Sequence, residues 1–203
     1  MRNKSVSIAA AILAGGKNSR MKGQNKAFLK INGLSLIEST LKLLKATFKE
    51  IILVTNYPRA FKAYAKEVII AEDLIKDTGP LGGIHSALAV TSKQVVFFMA
   101  CDMPNLHNAL ILRLINYFKR TNFDVVLPRI NSSVEPLYGI YRKGLQEKLD
   151  IFLHTSKNYS IRNFLRTVKV GYLDLEDNSL NRKTFANLNT PKDLSDLTEG
   201  IWK

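Results

Sequence analysis

Between Ile8 and Lys26 the chain reads IAAAILAGGKNSRMKGQNK, an apolar run that stops at a glycine pair and opens into a basic loop. No other stretch limits the fold as much. Val6–Leu13 is apolar without alternation, the pattern of a central parallel strand buried on both faces. A strand ending at Gly15-Gly16 exposes backbone N–H groups at its carboxyl end, where Lys17, Arg20, Lys22 and Lys26 gather positive charge. Amide groups and cations in one short loop suit a polyphosphate. The loop is neither a Walker A sequence nor the dinucleotide fingerprint, because the later glycines and the Gly-Lys-Ser/Thr those need are missing. A glycine pair after a strand is, alone, an ordinary turn. Arg20, capable of a forked contact, and Lys26, a point charge, make this one a candidate cradle for a nucleoside triphosphate.

The rest of the chain alternates strands and helices. Ser35-Leu36-Ile37-Glu38 fits a capping box, followed by Leu36, Thr40, Leu43, Leu44 and Phe48 at helical spacing. Glu50–Val54, Val68–Ile70, Val95–Met99 and Phe123–Leu127 read as strands. Short helices are expected around Arg59–Lys66, from Pro80 to Val90 and over His107–Arg120. Beyond Pro128 come strands at Glu135–Tyr141 and Lys169–Leu173, helices at Lys143–Phe152 and Ile161–Val168, a last strand at Phe185–Leu188, and a helix at Pro191–Leu197. This rhythm predicts an α/β fold, a three-layer Rossmann-like arrangement with a mostly parallel twisted sheet and helices on both faces. With 203 residues and no repeat or low-complexity linker, one compact domain is expected.

Lys and Arg outnumber Asp and Glu by 30 to 17, a formal charge of +13. The positive residues are scattered and no aromatic-rich RNA-binding signature interleaves with them, which favours a lysine-rich surface plus one anion pocket over a nucleic-acid partner. Apolar runs such as Val95–Cys101 are too short to span a bilayer, no signal peptide is evident, and the one cysteine excludes an internal disulfide. No membrane partner and a cytoplasmic location are therefore expected.

Four segments carry the candidate chemistry: the Gly15–Lys26 loop, Asp73, Asp102 and Asn187–Thr190. Three lie at or just past the carboxyl end of an expected parallel strand, where open α/β sheets bind ligands. Asp102, directly after a buried strand, suits a Mg²⁺ ligand beside a triphosphate; the competing reading is a cap for the following helix. Asp73 has the weaker case, since a loop Asp often forms a turn. His85, His107 and His154 have no partner at ligand or triad spacing and read as surface or capping residues. Cys101 reads as a small buried residue.

With those segments in view, the chain resembles the molybdenum cofactor guanylyltransferase family. The resemblance rests on Leu13-Ala14-Gly15-Gly16-Lys17-Asn18-Ser19-Arg20-Met21 with Lys26, on Glu72-Asp73 with Gly79-Pro80-Leu81-Gly82-Gly83, and on Cys101-Asp102-Met103-Pro104. Glu135-Pro136-Leu137-Tyr138 and Asn187-Leu188-Asn189-Thr190-Pro191 complete the ordered set. Two departures make the glycine loop more positive: Lys22 stands where the family has Gly, and Asn25 where it has Asp. The resemblance implies the nucleotide-diphospho-sugar transferase fold, a single nucleotidyltransferase domain over residues 1–203 in which residues 6–127 would hold GTP and residues 128–203 the acceptor, and transfer of GMP from GTP to molybdopterin carrying molybdenum. It implies that Leu13, Ala14, Gly15, Gly16, Asp73, Gly79, Pro80 and Leu81 bind GTP, and that Arg20, Lys26 and Asp102 are catalytic. Asp102 would hold Mg²⁺, and Asn187 and Asn189 would lie near the acceptor. Asn56 is not counted among the site residues. GTP, molybdopterin and molybdoenzyme-maturation proteins would be the partners. The nearest rival is the related cytidylyltransferase; others are sugar-phosphate nucleotidyltransferases, whose usual motifs are missing after the glycines, and a non-catalytic GTP- or nucleic-acid-binding module.

Overall fold

The computed structural model describes residues 7–15, 20–21 and 24–198. In chain order its first half comprises β1 (Ile8–Leu13), β2 (Arg20–Met21), β3 (Gln24–Asn25), β4 (Lys30–Ile31), β5 (Leu34–Ser35), α1 (Leu36–Lys45), β6 (Ile51–Val54), β7 (Ile69–Ala71) and α2 (Pro80–Val90). Then follow β8 (Val95–Ala100), α3 (Asn108–Lys119), β9 (Val125–Ile130), β10 (Ser133–Val134), β11 (Tyr138–Arg142) and α4 (Leu145–Thr155). The chain continues through α5 (Ile161–Leu165), β12 (Val170–Leu175), α6 (Ser179–Thr184) and α7 (Pro191–Thr198).

The main sheet runs β7-β6-β1-β8-β11-β9-β12, with β10 forming a hairpin on β9. The pairings of β1 with β6 and β8, of β6 with β7 and of β9 with β12 are parallel; β11 is antiparallel to both its neighbours. Chain direction reverses its march across the sheet between β1 and β8, so the carboxyl ends of these two strands open a crevice.

Each central strand is buried on both sides because successive residues feed separate layers. Ala10, Ile12, Phe97 and Met99 pack with α1 and α3, through Leu41, Leu44, Leu110 and Leu114. Ala9, Ala11, Leu13, Val96 and Phe98 pack with α2, α4 and α5, through Ile84, Leu88, Leu149 and Phe164. The result is the mixed α/β architecture expected, a mostly parallel sheet between two helical layers.

Local signals were followed closely in several places. The Ser35–Glu38 capping box is formed, with Glu38 N–H donating to Ser35 Oγ at 3.3 Å and Ser35 N–H to Glu38 Oε2 at 2.8 Å. Asn32 and Gly33 both take positive φ in the two-residue turn between β4 and β5. Elsewhere tertiary packing overrode the pattern. In α1 the buried positions include Ile37 and Leu41, whereas Leu43 is only half-buried. Residues 58–64 form 3-10 turns rather than an α-helix, the Pro58 ring opening a segment that buries only Phe61. Phe185–Leu188 is not a strand: α6 ends at Thr184, and Leu188 reaches the rest of the fold by donating its N–H to the Asp102 carbonyl at 2.9 Å. Glu135 precedes β11 rather than belonging to it, because the β9–β10 hairpin takes up the residues before it.

Candidate active site

Three segments distant in sequence meet at the carboxyl end of β1 and β8. Leu13 is in register with Ala100; its carbonyl accepts from the Cys101 N–H at 3.1 Å, and Ala14 N–H donates to the Val54 carbonyl at 2.8 Å. These bonds carry the sheet ladder one residue past the strand ends and fix where Asp102 begins its turn. Asn25 accepts from Ala27 N–H at 3.0 Å and so caps the 3-10 turn Lys26–Phe28. Its amide oxygen serves as a carboxylate would, which accounts for Asn at this position. That turn drives Lys26 inward, where the residue is only 3% exposed. Lys26 Nζ donates to Asn189 Oδ1 at 3.1 Å and lies 3.5 Å from Asp102 Oδ2. Asp193 fixes the Asn189 segment by accepting from the N–H groups of Asn189 and Thr190, both at 2.7 Å. Those two donors hold the Asp193 carboxyl below the ordinary carboxylate range.

Asp102 does not cap α3, whose cap position is His107. Its carboxylate is left to the crevice and to Lys26. Asn187 Oδ1 is buried with no hydrogen-bond partner, one residue before the Leu188 amide that bonds to Asp102. Among the described residues no three His, Cys, Asp or Glu side chains cluster as a metal cage. Burial pushes the Cys101 thiol up to about 12, with the neighbouring Asp102 charge adding to it, so this cysteine offers no thiolate nucleophile. Gly16 and the side chain of Arg20 lie outside the described residues; the Arg20 backbone pairs opposite Asn25.

Beside this cluster, past the ends of β1, β6 and β7, a cleft of about 600 Å³ is lined by Leu13, Gly15, Asn56, Asp73, Gly79 and Pro80 among others. Asn56 Nδ2 donates to Asp73 Oδ2 at 2.7 Å, and Lys76 Nζ donates to Asn56 Oδ1 at 3.0 Å. Gly79, at φ 61° and ψ −148°, turns the chain into α2 through a conformation that side chains disfavour. Gly83 keeps the first turn of α2 close to β1, since a Cβ there would sit 3.0 Å from Leu13 Cδ2. Ala14 and Leu81, two of the residues expected to bind nucleotide, are fully buried in the core and do not line the cleft.

Asn56, Tyr57, Asp77 and Gly83 also line it. None was counted among the expected site residues, although Gly83 stands in one of the motifs that carry the resemblance. Asn56 follows β6 by two residues, so the rule that pointed to Asp102 also applies to it. His85 corrects an expectation: it is buried, 3% exposed, on α2, with Nε2 3.1 Å from Asp150 Oδ1.

Residues 10–171 match the family described as MobA-like NTP transferase domain. The chain is 34% identical over 193 residues to a probable molybdenum cofactor guanylyltransferase of Clostridium perfringens, covering 93% of this chain and 95% of that protein. It is 37% identical over 194 residues to a probable molybdenum cofactor guanylyltransferase of Carboxydothermus hydrogenoformans, covering 94% of each. The fold is similar to the crystal structure of molybdopterin-guanine dinucleotide biosynthesis protein A from Archaeoglobus fulgidus, with TM-score 0.77, 24% identity and coverage of 94% of this chain and 97% of that one.

Proposed function

The chain belongs to the family of MobA-like NTP transferase domains, and on that premise we propose that it transfers GMP from GTP to molybdopterin carrying molybdenum. The product is molybdenum-molybdopterin guanine dinucleotide. The observation that carries this reading is the meeting of Lys26, Asp102 and Asn189 beside a nucleotide-sized cleft. An oxygen of the acceptor's terminal phosphate attacks the α-phosphorus of GTP and forms a new P–O bond. The bond from that phosphorus to the bridging oxygen breaks, and pyrophosphate leaves with the electron pair. The attacking phosphate is already anionic, so no strong general base is needed. Alignment and charge neutralisation can do most of the catalysis.

In this reading the nucleoside occupies the cleft at Leu13, Gly15, Asn56 and Asp73, and Gly79-Pro80 closes its far wall. Asp73 has one carboxylate oxygen engaged by Asn56, and the other would accept from a nucleoside donor. Lys26, together with Arg20, neutralises the phosphates, and Asn189 holds the lysine amine in place. Asp102 and the orphaned Asn187 Oδ1 are hard oxygen donors that fit Mg²⁺, whose remaining positions would be filled by phosphate oxygens and water. Bound there, the ion would supply charge neutralisation at the triphosphate.

Pyrophosphate release with molybdopterin as acceptor, compared for GTP, CTP and ATP, tests the assignment. GTP should be turned over at least tenfold faster than the other two; equal turnover of CTP would count against guanylyl transfer. Asp102→Asn should abolish turnover while leaving the circular dichroism spectrum and melting temperature close to those of the parent. Retained turnover in that variant would remove Asp102 from the mechanism.

A further inference from the structure

A second cleft, of about 420 Å³, is lined by Pro128, Ile130, Ser133, Glu135, Arg182 and Phe185 among others, and so lies on the β11–β9 flank of β8, whereas the nucleotide cleft lies on the β1–β6 flank. The sheet order explains its position: β8, which delivers Asp102, has β1 on one flank and β11 on the other. The connector Glu135–Leu137 is tied to the end of β8, because Ala100 N–H donates to the Leu137 carbonyl at 3.0 Å, two residues before Asp102. Phe185, on the facing wall, stands three residues before Leu188, whose N–H donates to the Asp102 carbonyl. Both walls are thus anchored to the Asp102 turn.

The chemistry of this cleft is specific. Phe185, fixed edge-on against Tyr138 with ring centroids 5.4 Å apart, combines with Pro128 and Ile130 to give an apolar wall. Arg182 at the rim is committed to Asp177, with Nη2 donating to Oδ2 at 2.7 Å, and Asn131 donates to the same carboxylate oxygen at 2.8 Å. The cleft therefore offers no free pairing between these charges and Glu135. Glu135 Oε1 accepts from Leu137 N–H at 3.1 Å, and among the described residues Oε2 has no hydrogen-bond partner and no cation lies within ion-pairing reach. Burial pushes this carboxyl above the usual range against the pull of the Leu137 N–H, and the Asp102 charge adds to the upward push. A half-buried acid with one oxygen open to the cleft and no cation beside it is an acceptor for a ligand that brings N–H donors. A flat heterocycle with a ring N–H beside an exocyclic amino group presents two such donors side by side, and its faces suit an apolar wall.

We propose that this second cleft binds the acceptor's bicyclic amino-pyrimidinone ring system, with Glu135 receiving its edge N–H donors and the acceptor phosphate reaching Lys26 and Asp102. The assignment rests on the guanylyl-transfer reading above. It makes the two substrates approach Asp102 from opposite sides, which is what in-line attack on the α-phosphorus needs. It also gives a role to Glu135-Pro136-Leu137, a segment conspicuous in the sequence that GTP binding leaves unused.

The test is steady-state GMP transfer, with molybdopterin varied, in Glu135→Gln and Glu135→Ala. A parallel measurement follows retention of molybdopterin by the purified protein, read as pterin fluorescence after oxidation, together with GTP affinity. Gln keeps an acceptor for the Leu137 N–H but replaces the second oxygen by a donor, so a merely structural role would be rescued by it. Both variants should raise the KM for molybdopterin and weaken its retention at least tenfold, with GTP affinity within twofold of the parent. Ser133→Tyr, which fills the rim from an exposed position, should do the same while leaving Glu135 in place. Unchanged molybdopterin KM and retention in all three variants, with the parent active, would overturn the cleft assignment alone. A parent protein that neither retains nor guanylates molybdopterin would overturn the transfer reading and this proposal with it.

Discussion

Lys26 is a lysine in an almost solvent-free slot, and its two oxygen partners explain why the fold tolerates it there. An ammonium buried at such a depth is costly unless paired and hydrogen-bonded. Asn189 and Asp102 supply that pairing from distant parts of the chain, Asn189 from 163 residues away. Lys26→Ala should therefore do two things. Removing a positioned cation from a phosphoryl-transfer site should lower kcat by about 100-fold or more. Leaving Asp102 and Asn189 without their partner should lower stability by about 1–3 kcal/mol. Lys26→Arg should not restore turnover, because a planar guanidinium does not fit a slot shaped for a linear amine. Steady-state GMP transfer and chemical denaturation of both variants check these outcomes; an Arg variant with parental kcat would show that charge alone suffices.

At the level of elements, α2 is where the cleft and the fold depend on each other. Its first two turns carry Gly82 and Gly83, and Thr78 Oγ1 donates to the Ile75 carbonyl at 2.9 Å just ahead of the helix. A Cβ on Gly82 would meet Thr78 Oγ1 at 2.4 Å and the Ile75 carbonyl oxygen at 2.9 Å. The carbonyl belongs to the backbone and cannot swing aside, so the loop from Asp73 to Gly79 must move. Gly82→Ala should cost about 1–3 kcal/mol as overpacking, at about 2–4 °C of melting temperature per kcal/mol. It should also raise the KM for GTP, since Asp73 and Gly79 line the cleft. Thermal denaturation and GTP kinetics measure both; a parental Tm would mean that the loop gives way freely. The same element shows what could be read in advance. Pro80 at a helix start, the Ser35–Glu38 box and the uniformly apolar β1, β6 and β8 are local signals, and local signals survive folding. What spacing does not contain is where a distant segment lands. The 185–188 segment looked like a strand, yet Phe185 and Ala186 N–H bond back to the end of α6, Leu188 N–H donates to the Asp102 carbonyl, and among the described residues no ladder forms. Asn56, left out of the site on sequence, joined it only when β6 was placed beside β1, and Asn189, expected near the acceptor, showed its bond to Lys26 only when the 187–190 segment was placed beside β8. Lys26, Asp73 and Asp102 were legible because each combines a suitable chemistry with a loop at or near a strand end.

Across the whole molecule, the layer formed by α2 and α4 contains a proton switch of stability that composition conceals. His85 on α2 was read as a surface or capping residue because no partner lies near it in sequence. It instead faces α4, where Nε2 lies 3.1 Å from Asp150 Oδ1 and 3.3 Å from Gln146 Nε2, with His154 on the other side of Asp150. Nδ1 is buried without a partner. The neutral ring with its hydrogen on Nε2 donates to Asp150, in which case Gln146 Nε2 does not donate to the same nitrogen; a second proton would place an N–H at the buried Nδ1, which has no partner among the described residues. Burial accordingly lowers the His85 pKa, and the Asp150 carboxylate offsets only part of that. The unfolded chain then binds a proton at a higher pH than the folded one. The His85 contribution is complete above the unfolded value of about 6.5 and is lost as pH falls through that value toward the depressed folded one. One such group changes stability by at most about 1.4 kcal/mol per pH unit. Denaturant unfolding at pH 7.5, 6.5, 5.5 and 5.0 should show stability declining below pH 6.5, and His85→Gln should flatten that decline because the amide can still donate to Asp150 without titrating. His154→Gln, removing the exposed neighbour, should leave the slope nearly intact. An identical decline in the parent and in His85→Gln would move the acid sensitivity to other groups and leave His85 as packing alone. Because α2 also opens with Gly79-Pro80 at the cleft, a loss of its packing at low pH should reach the GTP site before global unfolding, visible as a rise in the KM for GTP in the parent that His85→Gln suppresses.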